Sequence, residues 1–211
     1  MNSCRKNCSC SCCKPLRFKA IDVCQIPTPP SPCHLICNDC IPRTGELVIN
    51  GGFEDLQPFF GWVIDPNNNG VDPAALGEIH SGQKAARLGF NNQLGFPEGD
   101  AILFQDISGI CPGKHYELQF EMNGEVALGN ALVDVRVIWL DGNKNSIGLG
   151  LQIIVPKNSL PDDGIGAWTT FQGVTNEVLS QTQFARVQFE IHATNPDDQH
   201  VHLDDVSFVL L

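Results

Sequence analysis

The sequence lacks long apolar runs. None of its 211 residues lies in a run that approaches the roughly 18 to 20 apolar residues needed to cross a bilayer, which excludes a membrane-spanning helix. The first 20 residues include cations but no apolar stretch of about 7 to 15 residues after them, so we expect no secretory signal peptide and, for any export, another route. The 20 glycines and 14 prolines follow no Gly-X-Y period, which excludes a collagen segment.

Most of the chain is also poor in cations. The 13 Lys and Arg against 24 Asp and Glu give a net charge of -11, but residues 1–43 have six cations and two acids. That segment is basic at +4, and residues 44–211 carry -15. A body this acidic repels phosphate backbones, so we exclude nucleic-acid binding by the main domain.

Catalytic motifs are missing. The sequence has no G-x-S-x-G elbow, no H-E-x-x-H and no phosphate-binding glycine loop, and we therefore expect no enzyme. Cys111 and His115 form the one short-range pairing of a nucleophile with a base. We interpret Cys111 instead as a buried structural cysteine before the Pro112-Gly113 turn.

Cysteine is concentrated at one end of the chain. Nine of the ten cysteines lie in the first 40 residues, a segment with too few apolar residues to form its own core. Zinc could use Cys33, Cys37 and Cys40 with His34, or the Cys8–Cys13 cluster, but neither has paired C-x2-C spacing, and we consider zinc unlikely. The segment could instead contain an intramolecular disulfide framework, or it could be a disordered tail with reduced thiols.

Intermolecular cross-linking agrees best with this pattern, because nine thiols do not pair evenly and adjacent cysteines are poorly placed for local bridges. The predicted cross-linking residues are Cys4, Cys8, Cys10, Cys12, Cys13, Cys24, Cys33, Cys37 and Cys40.

The pattern predicts two regions. Residues 1–43 form a Cys-rich basic arm with a Pro-rich linker at 25–33, and residues 44–211 form one domain. Within the domain we predict strands and no helix, at residues 46–50, 82–89, 101–107, 115–123, 132–140, 146–155, 167–174, 184–193 and 201–210. Two of these segments alternate clearly: Val133, Val135, Val137 and Trp139 share one face, as do Ala185, Val187, Phe189 and Ile191. The prediction is an all-β, two-sheet antiparallel jelly-roll sandwich.

Three motifs in the domain carry a family resemblance. They are Leu47-Val48-Ile49-Asn50-Gly51-Gly52-Phe53-Glu54 followed by Gly61-Trp62, then residues 80–88 (HSGQKAARL), and the closing residues 202–208 (HLDDVSF). Their order resembles the galactose-binding-like jelly rolls of carbohydrate-binding module families four and nine. Residues 148–156 (GLGLQIIVP), Leu160-Pro161 and Trp168 are similar to the N-terminal domain that precedes triple-helix repeats in surface proteins of spore-forming Firmicutes. This chain departs from those proteins in its Cys-rich arm and in having no collagen-like repeat.

The resemblance implies a calcium ion that ties the first strand to the last. Carried over to this sequence, its ligands are Glu54, Ser81, Lys84 through its backbone carbonyl, and Asp204. The alternative is that the two carboxylates accept hydrogen bonds from loop amides. Residues 65–72 also match the start of an EF-hand loop, but Leu76 stands where a Glu is required, so we interpret them as an Asn/Gly turn.

Two further sets of side chains could bind a ligand. His200, His202 and Asp204 alternate onto one face of the last strand, a spacing that could hold a transition metal. The aromatic residues that could stack on sugar rings are Phe59, Phe60, Trp62, Trp139 and Trp168, and we predict that the three tryptophans belong to the core.

Together these features predict a structural surface protein, of a bacterial spore coat, exosporium or appendage, whose arm forms intermolecular disulfides. The protein would reside on the spore surface or be extracellular after mother-cell lysis. Its partners would be further copies of itself, assembling head to tail into filaments by attraction between basic arm and acidic head, or other spore-surface proteins. The alternative is a carbohydrate-binding module that recognises a surface glycan and uses the arm as a tether.

Overall fold

The computed structural model describes residues 40–74, 78–89, 101–124, 131–162, 166–192 and 200–211. The chain divides into two units, Met1–Asp39 and Cys40–Leu211. The first unit lies outside the described residues, and so does every predicted cross-linking cysteine except Cys40. No helix in the described segments is long and apolar enough to span a membrane.

The second unit is a sandwich of two five-stranded antiparallel sheets. The strands are β1 (Val63–Asn69), β2 (Val71–Pro73), β3 (Ala86–Leu88), β4 (Ala101–Ser108), β5 (Tyr116–Gly124), β6 (Leu132–Leu140), β7 (Ser146–Val155), β8 (Thr169–Val174), β9 (Phe184–His192) and β10 (Val201–Leu210). Sheet A has the order β2-β3-β10-β5-β8, and sheet B has the order β1-β4-β9-β6-β7. The predicted all-β jelly-roll sandwich is confirmed.

The core lies between the sheets and follows the two-residue period of the strands. In β6 the side chains of Val133, Val135, Val137 and Trp139 are at most 1% exposed, as their alternation predicts. The alternate residues of β9, from Ala185 to Ile191, are fully buried. Residues between these positions point away from the core, and they form the two outer faces of the sandwich.

Seven of the predicted strands are present with bounds within two residues, and the other two differ. Residues 46–50 form no strand but only one bridge, between Glu46 and Val209. There the Glu46 carboxylate accepts hydrogen bonds from the amides of Leu47, Val48 and Phe208, so a side chain replaces part of the ladder. The strand predicted at 82–89 is reduced to Ala86–Leu88.

The prediction of a turn at residues 65–72 is wrong, because β1 and β2 occupy it. An Asn- and Pro-rich segment is tolerated as β1 since this strand lies at the edge of sheet B and its register with β4 is irregular. Trp62 and Trp139 are buried as predicted. Trp168, which precedes β8, is only half-buried, so its assignment to the core is wrong.

A disulfide joins Cys40 to Cys111, with 5.5 Å between their Cα atoms. The intermolecular prediction is therefore wrong for Cys40. The pairing of Cys40 with Cys111 could not be predicted from spacing, since the two residues are 71 positions apart. They meet because residues 40–43 lie beside the end of β4, where Arg43 packs against Gly109. Cys111 is buried as predicted, and it has no free thiol for nucleophilic chemistry.

Candidate functional site

The outward side of sheet B carries a continuous set of mostly polar side chains, which we call the polar face. It is formed by Ile102, Phe104 and Asp106 of β4, Arg186, Gln188 and Glu190 of β9, Asp134, Arg136 and Ile138 of β6, and Gln152 and Ile154 of β7. Strand register aligns four of them in one row across the sheet: Phe104, Gln188, Arg136 and Gln152. At about 4.8 Å between neighbouring strands, the row is about 14 Å long.

Hydrogen bonds connect the side chains on one half of the polar face. Arg136 donates to Asp134, and its Nη1 lies 3.2 Å from Glu190 Oε2. Gln152 Nε2 lies 3.0 Å from both carboxylate oxygens of Asp134, and Gln188 Nε2 donates to Glu190 at 3.2 Å. Planar amide, carboxylate and guanidinium groups are therefore held in fixed positions on adjacent strands.

The other half of the face is organised by Arg186. Its Nε and Nη2 donate to the two oxygens of Asp106 at 2.7 and 3.1 Å, and its guanidinium lies 3.9 Å from the centre of the Phe104 ring. Lys144 Nζ lies 3.0 Å from Asp106 as well. Burial by itself raises the pKa of Asp106, but the hydrogen bonds and charges of Arg186 and Lys144 outweigh it and hold the pKa below its ordinary value of 3.8.

The polar face is accessible and almost neutral. Apart from Asp134, its side chains are half-buried or exposed, so that a ligand could reach them. Its three carboxylates are compensated by two arginines, with Lys144 alongside. Three of the seven cations in residues 44–211 are thus at this one face. No sequence motif marks this site, although its signal is present in the polar positions that alternate with the core residues of the predicted strands.

The outward side of sheet A is different, because residues 78–84 lie over it. We call this side, with Asp204, His202 and the residues above them, the covered face. Asp204 is fully buried. Its Oδ2 accepts hydrogen bonds from the amides of His80 and Ser81, both at 3.0 Å, and its Oδ1 accepts one from the amide of Asp205 at 2.7 Å. Burial raises the pKa of Asp204 to about 6 despite these donors.

Glu54 holds the same segment from the other side. Its Oε1 accepts hydrogen bonds from the amides of Gln83 and Lys84 at 2.7 and 2.8 Å. Gly82 permits this approach, because a Cβ there would come within 2.3 Å of Glu54 Oε1. The Lys84 ammonium donates to the backbone carbonyls of Glu54, at 3.2 Å, and of Asp55.

The structure thus brings the four predicted calcium ligands to one region, but N–H groups donate to the two carboxylates among them, Glu54 and Asp204. Calcium takes six to eight oxygen ligands, whereas here amides donate to Glu54 and Asp204, and an ammonium sits on the carbonyls beside them. The Ser81 hydroxyl donates to Asp205 Oδ1 at 2.8 Å. This arrangement fits amide binding, the second possibility that the sequence left open, and it does not fit a calcium ion.

The aromatic residues do not form one platform. Trp168 packs against His80, with ring centres 5.3 Å apart, at the rim of the covered face. Phe59 packs edge-on against Phe53 of the core. Phe60 is 55% exposed and lines a shallow cavity of about 280 Å³ with Asp55, Leu56 and Gln57.

Comparison with known proteins identifies the fold only. No protein-family model and no curated protein sequence matches the chain. Three similar solved structures are the enzymatically active domain of bacteriophage CBA120 tailspike protein 4 (TM-score 0.60, 14% identity), TmCBM61 in complex with β-1,4-galactotriose (0.55, 14%) and a Stig cyclase from Fischerella sp. TAU (0.56, 15%).

The three alignments differ in how much of each protein they include. They cover 79%, 80% and 79% of this chain, and 21%, 100% and 96% of those proteins. The chain therefore spans about a fifth of the tailspike chain and all of TmCBM61. The domain has a jelly-roll fold like that of carbohydrate-binding modules.

Proposed function

We propose that the jelly-roll domain is a carbohydrate-binding module that binds a neutral glycan across the polar face. The observation that carries the proposal is the row of Phe104, Gln188, Arg136 and Gln152, which presents one aromatic ring and three planar hydrogen-bonding groups on four adjacent strands. Such groups bind neighbouring sugar hydroxyls in pairs. A row about 14 Å long suits an oligosaccharide that lies across the strands.

The likeness to TmCBM61, whose structure contains β-1,4-galactotriose, supports a glycan as the ligand class. The charges support a neutral glycan. The face itself is almost neutral, but the surrounding body is acidic and repels uronic acids and sulfated sugars. The proposed activity is binding without catalysis.

The test is binding of the purified full chain to immobilised neutral polysaccharides, namely β-1,4-galactan, xylan and cellulose, with polygalacturonic acid as the acidic comparison. We expect at least one neutral polysaccharide to bind. Gln188→Ala and Arg136→Ala should each weaken binding about tenfold or more, since each removes hydrogen bonds made only at the polar face. Gln172→Ala, on an exposed position of sheet A, is the matched control and should bind like the wild type.

Failure of the wild type to bind any of these neutral polysaccharides would overturn the proposal. Binding that survives Gln188→Ala and Arg136→Ala but is lost in Phe60→Ala would overturn the assignment to the polar face and move the site to the cavity beside Leu56.

The proposal leaves the arm as a tether. The eight remaining cysteines of the arm lie outside the described segments, so intermolecular cross-linking through them stays a prediction of the sequence. Assembly on a spore surface, and a location there, stay predictions as well. Reductant-sensitive oligomers of the full chain are the expected sign of that role.

A further inference from the structure

Two histidines lie side by side on the covered face. His200 directly precedes β10 and His202 lies within that strand, and the two ring centres are 4.9 Å apart. The sequence suggested Asp204 as a third ligand on that face. The structure excludes Asp204 from this role, because its carboxylate is taken by the amides of His80 and Ser81.

The third group comes from a different segment. Glu78, in the segment before β3, places Oε2 3.2 Å from Nε2 of His202. One ligand atom each from Glu78, His200 and His202 can be chosen so that all three lie within 4.8 Å of one another. Among the described residues this is the one group of at least three His, Cys, Asp or Glu side chains that meets this condition.

The burial and the orientation of these three side chains are suitable for binding a metal ion. His202 is fully buried and His200 is 6% exposed, whereas the Glu78 side chain is 24% exposed and leaves a path to solvent. Nδ1 of His202 lies 2.8 Å from Asn123 Oδ1. Because a carbonyl oxygen only accepts, Nδ1 carries the proton, and the lone pair of the neutral ring is on Nε2, on the side of Glu78.

We propose that Glu78, His200 and His202 form a binding site for a zinc ion. Two imidazoles and one carboxylate are a common ligand set for zinc, in which bonds of about 2.0 to 2.1 Å place the ligand atoms about 3.3 Å apart. The separation of Glu78 and His202 already has this value. Rotation of the partly exposed Glu78 and of His200 by small amounts closes the remaining distance, and water takes the fourth position.

An ion pair between Glu78 and a protonated His202 is the competing explanation. It accounts for two of the groups but not for the second imidazole within the same 4.8 Å. A divalent cation accounts for all three groups, because it binds one carboxylate and two imidazoles together.

The proposed site has a structural consequence. Glu78 precedes the residues that bind Asp204 and Glu54, whereas His202 belongs to β10 beneath them and His200 directly precedes that strand. The ion would therefore join residues 78–84 to β10, and binding should stabilise the folded state.

The test is calorimetric titration of zinc into the full chain after its free thiols have been alkylated, so that the thiolates of the arm cannot bind the metal. We expect one zinc ion per chain and a rise in unfolding temperature with zinc. His200→Gln and Glu78→Gln should each weaken binding at least tenfold and abolish that rise. His115→Gln, which replaces an exposed histidine elsewhere, should behave like the wild type.

These variants leave the fully buried His202 in place, so that folding is preserved, and their unfolding temperature without zinc checks this directly. If one of these two variants does not fold, the zinc affinity of the other variant tests the proposal. Lack of zinc binding by the alkylated wild type would overturn the proposal. Equal zinc affinity in the wild type, His200→Gln and Glu78→Gln would overturn it too.

Discussion

The outward faces of the two sheets each present an aspartate, and the two carboxyl groups experience opposite environments. On the polar face, Arg186 and Lys144 lower the pKa of Asp106 below 3.8. On the covered face, burial raises the pKa of Asp204 to about 6. Asp106 therefore stabilises the fold in its ionised form, whereas the raised pKa of Asp204 costs folding free energy as the pH rises from about 4 to about 6, and above that range the cost is constant.

The difference follows from where the few cations of the domain lie and from what covers each sheet. The polar face has three cations and remains open, so its charges are paired and accessible to a ligand. The covered face has only N–H donors around Asp204, and its carboxylate holds residues 80–81 in place. One face is thus suited to recognition, and the other is suited to fixing a loop.

The largest expected effect comes from disrupting the covered face at Gly51. A Cβ at this position would lie 1.9 Å from the carbonyl oxygen of Val206, which belongs to the irregular part of β10 just after Asp204 and Asp205. Gly51→Ala should lower the free energy of unfolding by more than about 4 kcal/mol, because the backbone at residue 51 or at Val206 must move to make room for the methyl group. Guanidinium denaturation measures it.

The neighbouring residue provides the control. A Cβ at Gly52 meets nothing closer than 3.6 Å, so Gly52→Ala should cost about 1 kcal/mol or less. Equal stability of Gly51→Ala and Gly52→Ala would contradict the close approach between the opening motif and β10.

The second comparison removes each aspartate in turn. Asp204→Ala removes a fully buried carboxylate that accepts from three part-buried amides and should cost about 3 kcal/mol. Asp106→Ala should cost only about 1 kcal/mol, since Arg186 and Lys144 are partly exposed and can turn to water. Urea denaturation at pH 7 would compare the two variants, and a greater loss in Asp106→Ala would refute the assigned roles.

Much of this architecture could be predicted from the sequence, and the exceptions have physical reasons. The strands with a strong two-residue period, such as Val133 to Trp139, are found where expected because a buried face imposes that period. Edge strand β1 was missed, since an edge has one partner only and tolerates Pro66 and the asparagines.

The sites were harder to predict than the strands. The contact between Ser81 and Asp204 joins residues 123 positions apart, and the Cys40–Cys111 bond joins residues 71 apart. Local patterns carry no information on such pairings. The resemblance did place Glu54, Ser81, Lys84 and Asp204 together, but only the geometry shows that amides donate to the two carboxylates, Glu54 and Asp204. Glu78 had no local signal that would connect it to His200 and His202.

The smallest expected effect is a pH dependence at the polar face. Because the pKa of Asp106 is lower in the folded state, its contribution to stability is fully present above about pH 4 to 5 and is lost as the pH falls through the folded pKa, below 3.8. The stability difference between the wild type and Asp106→Asn should therefore be constant from pH 5 to 7 and shrink below pH 4. It should stay below about 1 kcal/mol, since the exposed Lys144 is screened by solvent.

Denaturation curves at several pH values and low salt would measure this difference. If the stability difference between the wild type and Asp106→Asn stays constant down to pH 2, Arg186 does not stabilise the ionised Asp106 preferentially. A stability difference that shrinks as predicted would mean that Arg186, which also lies over Phe104, stabilises the ionised Asp106 at any pH above about 4. The proposed glycan site should then keep its geometry in mildly acidic surroundings.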